Sequence, residues 1–248
     1  KYSANPSVAE EATLIQNAID SKVDGIATTV YSDALAGAMK NAQAAKIPLV
    51  GFNTGIDIYK PLGALMYFGS DEDLAGQTAG KRIADEGAKH ALCVIQEEGS
   101  VALEARCAGV KKSLGNTENI QVNGRDVASV TSSLQAKLSQ DKSIDYIVTL
   151  GAPIALAALQ SIDQSGSSAK LVTFDLNTDA AQAIKDGKIE FSIDQQPYVQ
   201  GYMAVTSLYL YLKNGNDIGG GQPVLTGPSF VDQSNIDTIL PYAQNNTR

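Results

Sequence analysis

The chain has 248 residues, 44% hydrophobic and 19% charged, which suits one large α/β domain or two modest ones and excludes a disordered chain. With 19 Lys and Arg against 27 Asp and Glu the formal charge is −8, so the basic footprint that a nucleic-acid partner requires is missing. No run approaches the roughly 18 consecutive apolar residues of a transmembrane helix.

Periodicity divides the chain into alternating helices and strands. Residues 9–21 carry Ala12, Ile15, Ala18 and Ile19 at helical spacing after the cap signal Asn5-Pro6-Ser7. Residues 25–30 read as a strand, 33–45 as an alanine-rich helix and 48–52 as the next strand. The alternation continues with helix 74–86, strand 91–96, helix 103–113, a short strand at 120–122 and helix 130–139. Strand 146–150, helix 154–165, strand 171–174, helix 180–186 and strand 191–193 follow. A long helix over 199–212 comes last, with Tyr202, Val205, Leu208, Tyr209 and Leu212 as its apolar anchors. The run Gly219-Gly220-Gly221 has no following Lys-Ser/Thr and reads as a flexible connection rather than a phosphate cradle. Strands alternating with helices of about 10–15 residues predict parallel sheets flanked by helices.

Enzyme signatures are missing from this frame. Two cysteines, Cys93 and Cys107, are too few for a cysteine-ligated zinc site, and no HExxH, Walker A, GxGxxG or GxSxG pattern occurs. The single His90 lies in the helix-to-strand run 86–90 and reads as a solvated surface residue. The expectation is a protein that is not an enzyme and needs no cofactor or metal.

In open parallel sheets, ligands gather at the carboxyl ends of the strands. The polar residues there are Thr28, Thr29 and Tyr31, then Asn53 and Thr54, then Gln96, Glu97 and Glu98, then Asp175 and Asn177, then Asp194, Gln195 and Gln196. This set of amides and carboxylates suits the vicinal hydroxyls of a sugar, because such groups accept and donate hydrogen bonds in pairs. Tyr31 is an aromatic in a strand-to-helix loop of a chain without tryptophan, so it is a candidate for stacking on a sugar ring.

Several segments together resemble the type 1 periplasmic solute-binding proteins of sugar ABC transporters, in the ribose/galactose-binding group. They are Asn53 after strand 48–52, Gly69-Ser70-Asp71, the helical stretch Ala105-Arg106-Cys107-Ala108-Gly109-Val110, and Phe174-Asp175-Leu176-Asn177. The turn Lys185-Asp186-Gly187-Lys188-Ile189, the run Asp194-Gln195-Gln196-Pro197-Tyr198 and the tail Thr226-Gly227-Pro228-Ser229-Phe230-Val231 complete the set. The tail is similar to a subgroup for simple sugars.

The resemblance implies two doubly wound parallel-sheet lobes joined by a three-segment hinge, closing on a ligand. One lobe would comprise residues 1–70 with 197–222, the other 71–196 with 223–248. It also implies that Arg106 grips ligand oxygens and that Asp175 and Gln195 stand at the family's carboxylate and amide positions. Asn53 and Thr54 replace an Asp and an Arg of the family pattern, and Gly151-Ala152-Pro153 stands where many relatives carry an Asn. The candidate ligand-binding set is therefore Tyr31, Asn53, Thr54, Glu98, Arg106, Asp175 and Gln195.

The family opens with a strand, a helix and a second strand, whereas this sequence starts at Lys1-Tyr2, at the end of that second strand. The first strand and helix of the N-terminal lobe are thus expected to be missing from it. An exported protein meets oxidising conditions, which favour a Cys93–Cys107 disulfide; two buried free thiols are the alternative. The implied function is capture of a monosaccharide or polyol outside the cytoplasm, in the periplasm or beyond, with or without a lipid anchor. Delivery would be to the membrane permease of an ABC transporter, by a protein that is a monomer when full length. Rival readings are the effector-binding core of a LacI-type transcription regulator and an extracellular sugar-sensing domain.

Overall fold

A computed structural model describes residues 7–248. The readings of Lys1-Tyr2 as a strand end and of Asn5-Pro6 as a cap lie outside the described residues. Ser7 does cap the first helix, its side chain accepting a hydrogen bond from the Glu10 amide at 3.2 Å. The chain forms two compact units. One takes the sequence up to Asp71 with Gln196–Thr226, the other Glu72–Gln195 with Gly227–Arg248, so the backbone passes between them three times.

In the first unit, helices α1 (Val8–Asp20) and α2 (Ala36–Ala44) alternate with strands β1 (Ile26–Thr28) and β2 (Leu49–Asn53). A strand the alternation did not predict, β3 (Met66–Gly69), follows, and helix α8 (Pro197–Asn214) and strand β9 (Val224–Leu225) return to this unit later. Among the described residues its sheet has four strands in the order β1-β2-β3-β9, with every pairing parallel. Successive residues of a strand face opposite sides, so a sheet covered on both faces demands an unbroken apolar run. Leu49 and Tyr67 accordingly join Ile15, Leu35 and Met39 on one face, while Val50, Met66 and Phe68 meet Ala204 and Leu208 of α8 on the other. Residues 223–226 belong here rather than with the other unit, because β9 pairs with β3.

Helix α8 turns a different side inward than its apolar spacing suggested. Gln200, Ala204, Ser207 and Leu208 are its buried residues. Tyr202 is 62% exposed, Val205 65% and Tyr209 59%, with Tyr198 and Leu212 exposed beside them. Of the five anchors expected from sequence only Leu208 is buried.

The second unit contains α3 (Glu72–Asp85), β4 (Ala91–Ile95), α4 (Val101–Leu114), β5 (Thr117–Gln121), α5 (Val127–Gln140) and β6 (Tyr146–Thr149). It continues through α6 (Ala152–Ser165), β7 (Lys170–Phe174), α7 (Thr178–Lys185) and β8 (Phe191–Asp194), then β10 (Ser229–Asp232) and α9 (Ile236–Gln244). The six-stranded sheet runs β10-β8-β7-β6-β4-β5, parallel except for β10, which pairs antiparallel with β8 at the edge. Cys93, Ile95, Val148 and Phe174 face the side carrying Ala79 and Ile83 of α3 and Val110 of α4. Leu92, Val94, Ile147 and Leu171 face the opposite side, covered by residues of α5, α6, α7 and α9. The chain leaves β4 toward β5 and then returns past it to β6. The switch point of the topology is therefore the gap between the carboxyl ends of β4 and β6, where doubly wound folds place their ligands.

Helices α3 and α4 approach backbone to backbone. A methyl group on Gly76 would collide with the Arg106 carbonyl oxygen, and one on Gly109 with the Asp73 carbonyl oxygen. These glycines are thus needed for close approach, and the approach sets the height of Arg106 over the sheet. Gly76→Ala is expected to cost about 1–3 kcal/mol of stability by overpacking this crossing. Chemical denaturation that finds the variant as stable as the parent would show that the two helices have room to move apart.

Candidate ligand-binding site

At the carboxyl ends of β7 and β8, beside the switch point of the second unit, the fold brings three of the expected residues together. Arg106 rises from α4 and is only 5% exposed. Its Nε donates to Glu72 Oε2 at 2.5 Å and its Nη1 to the Leu150 carbonyl just past β6 at 3.2 Å. The guanidinium lies 4.6 Å from the centre of the Phe174 ring, which supports it from below. Burial works against its charge, but the Glu72 and Asp175 carboxylates more than offset this and hold the guanidinium above its ordinary pKa. These contacts leave further N–H donors of the fork for a ligand oxygen.

Asp175 follows β7 with φ of 63°, a left-handed conformation rare outside glycine that turns the chain sharply at the strand end. The turn is pinned by its own amide, which donates to the Ile193 carbonyl at 3.0 Å, and by Ser192 Oγ, which donates to the Asp175 carbonyl at 2.7 Å. Gln195 follows β8, and its Nε2 donates to Asp175 Oδ1 at 2.6 Å. Burial pushes the Asp175 carboxyl above the usual carboxylate range, and the neighbouring Asp194 adds to the rise, against the pull of Arg106 and Gln195. A carboxylate, an amide and a guanidinium therefore meet at the carboxyl end of the sheet. Gln96, which follows β4, donates from Nε2 to the same Leu150 carbonyl at 3.3 Å, and its buried Oε1 has no hydrogen-bond partner among the described residues.

The other expected residues lie elsewhere. Asn53 and Thr54 stand at the end of β2 in the first unit. Asn53 also has a left-handed backbone, φ 67°, and its Nδ2 donates to Gln200 Oε1 at 3.1 Å. Gln200, 1% exposed, donates from Nε2 to Thr226 Oγ1 at 3.0 Å, and the Tyr67 hydroxyl donates to the Asn53 carbonyl at 2.6 Å. Thr54 accepts at its carbonyl from the Val30 amide at 3.2 Å. Tyr31, half-buried after β1, packs against the apolar cluster around Leu35 and Met39. Glu98 is exposed in the β4–α4 loop.

Sequence reasoning missed Glu72, the partner of Arg106; the signal was its position at the start of the helix after Gly69-Ser70-Asp71. It also missed Gln200, which sits in α8 among residues chosen for their apolar spacing.

His90 is not the solvated, partnerless residue expected. Its side chain is 14% exposed, with Nδ1 2.8 Å from Ser143 Oγ and carboxylate oxygens of Asp141 and Glu118 each at 4.0 Å. The two carboxylates face opposite ring nitrogens, and Lys137 Nζ binds Glu118 at 2.7 Å and approaches Asp141 at 3.9 Å. Lys137 thus links the two carboxylates beside His90 into one ion-pair network.

Cys93 in β4 and Cys107 in α4 are joined by a disulfide, their Cα atoms 5.8 Å apart and both residues fully buried. The bond ties α4 to the sheet one residue from Arg106. Among the described residues no helix is long and apolar enough to cross a membrane.

With this geometry, a periplasmic binding protein domain profile matches residues 1–217, and the chain belongs to that family. A solved carbohydrate transporter structure from Acidothermus cellulolyticus 11B, in complex with myo-inositol, is 53% identical. Its match covers 100% of this chain and 87% of that one, at a TM-score of 0.95. The xylose/arabinose-binding protein XylF of Sulfolobus acidocaldarius is 26% identical over 91% of this chain. The ribose import binding protein RbsB of Escherichia coli is 26% identical over 78% of it. The chain spans 61% of the length of the first and 66% of the second.

Proposed function

We propose that this chain captures a monosaccharide or cyclic polyol outside the cytoplasm and hands it to the permease of an ABC transporter. The observation that carries the reading is the meeting of Arg106, Asp175 and Gln195 at the carboxyl ends of the second unit's strands, beside the switch point of its sheet. A sugar hydroxyl both donates and accepts, so adjacent hydroxyls pair naturally with a guanidinium donor and a carboxylate acceptor. A ligand without those hydroxyls leaves buried polar groups unpaired, which is the source of selectivity. The myo-inositol complex of the 53% identical relative supports a ring polyol, and the names of the more distant relatives support pentoses. A disulfide fits an oxidising compartment.

Isothermal titration of the purified protein with myo-inositol, xylose, arabinose, ribose and galactose tests the reading. The expected result is saturable binding of at least one of them, with a dissociation constant of about 1 μM or below, equivalent to about 8 kcal/mol. No saturable heat with any neutral sugar or polyol would overturn it.

A further inference from the structure

We propose that Arg248 is a positioning residue for the strand-end site, acting through the buried carboxylate of Asp194 to keep Asp175 and Gln195 in place. This rests on the reading of Asp175 and Gln195 as ligand-binding residues.

Asp194 ends β8 opposite Ser229 of β10 and directly precedes Gln195, whose amide holds the Asp175 carboxylate. It is 1% exposed, yet it is acidic and close enough to Asp175 for the two charges to act on each other. Two carboxylates in one buried corner repel, and a buried charge is tolerated only when paired. Arg248 supplies a cation: its Nε donates to Asp194 Oδ2 at 2.6 Å, and its Nη2 reaches Ser229 Oγ at 3.4 Å. The guanidinium thus bridges the facing ends of β8 and β10 from beyond α9.

The two neighbouring carboxylates of the corner, Asp194 and Asp175, are thus each matched by a cation, Arg248 on one side and Arg106 on the other, with Glu72 beyond. Taking away this cation removes the ion pair that holds the Asp194 side chain between β8 and β10. A shift of Asp194 moves the adjoining Gln195 away from Asp175. That weakens the acceptor that a ligand hydroxyl meets. Asp194 was collected from the sequence as one strand-end residue among many, and Arg248 was not singled out, because residues 54 positions apart carry no local signal of pairing.

The test is a double-mutant cycle on Arg248→Met and Asp194→Asn, with Arg248→Lys as the conservative variant. Two readouts are taken: affinity for whichever sugar or polyol the parent binds, and the side-chain carboxyl titration of Asp175 and Asp194 by carbon NMR in ligand-free protein. Arg248→Met is expected to move the carboxyl titration to higher pH and weaken the ligand about tenfold, as for loss of a charged hydrogen-bond partner. Arg248→Lys should recover part of both. In the Asp194→Asn background the same Arg248→Met change should alter affinity by no more than about twofold, since the pair is already broken.

An unchanged titration in Arg248→Met overturns the proposal. So does an equal loss of affinity with and without Asp194, which would mark Arg248 as a mere anchor of the tail. If the parent binds none of the sugars, the functional reading fails on its own, and the titration of the ligand-free protein still decides whether Arg248 governs the two carboxyls.

Discussion

Arg106→Met is expected to abolish measurable sugar binding and to cost about 3–5 kcal/mol of stability in the second unit, because it strips the partner from a buried carboxylate. Glu72 is 9% exposed and accepts from the Arg106 Nε, so its charge has no easy route to water once the guanidinium is gone. The two losses are separable. Pairing Arg106→Met with Glu72→Gln removes the stranded charge and should return much of the stability, because a buried ion pair replaced on both sides is often near neutral. The donors toward the ligand do not return, so binding should stay lost. Thermal melts and calorimetry on the single and double variants check this; a double variant that regains both stability and affinity would remove Arg106 from the site.

Cys93→Ala with Cys107→Ala is expected to destabilise the second unit by about 3 kcal/mol, the loop-closure contribution for a bridge spanning about 15 residues. The cysteines are 14 apart in sequence, and the bridge fastens β4 to the helix that carries Arg106. Loss of the bond leaves two small apolar side chains in a filled core, so the fold should survive while the position of α4 relaxes. Sugar affinity should therefore fall less than in the Arg106 variant. Thiol titration of denatured, unreduced parent protein should find no reactive group; two reactive thiols would show that the bond does not form, and that the alternative of two buried thiols holds.

Much of the architecture was legible because both faces of each sheet are covered. That condition forces the apolar runs at 91–95 and 146–150, and helices separate them at regular intervals. The failures have specific causes. Strand β3 has an apolar run, Met66-Tyr67-Phe68, but no amphipathic helix stands between it and β2, so the alternation that located its neighbours passed over it. Strand β9 has two residues and owes its existence to β3 alongside. Helix α9 contains Pro241, which masks a helical pattern.

On α8 the inference from period to burial reversed. The inward side is built of Gln200, Ala204, Ser207 and Leu208, small or polar residues that let the helix lie close to the sheet, and the heptad-like tyrosines point out. For the candidate site, strand-end position singled out Asp175 and Gln195, and the family resemblance added Arg106. What they could not supply were the partners that fix those groups. Glu72 and Arg248 act across 34 and 54 residues of sequence, and only folding shows the pairing.

The most direct measurement is a crystal structure of the protein grown with the sugar or polyol that titrates most tightly. Ligand hydroxyl oxygens are expected within about 3.2 Å of the Arg106 guanidinium and of the Asp175 carboxylate, the range of a true hydrogen bond. A ligand bound with full occupancy elsewhere, touching neither side chain, would contradict the account.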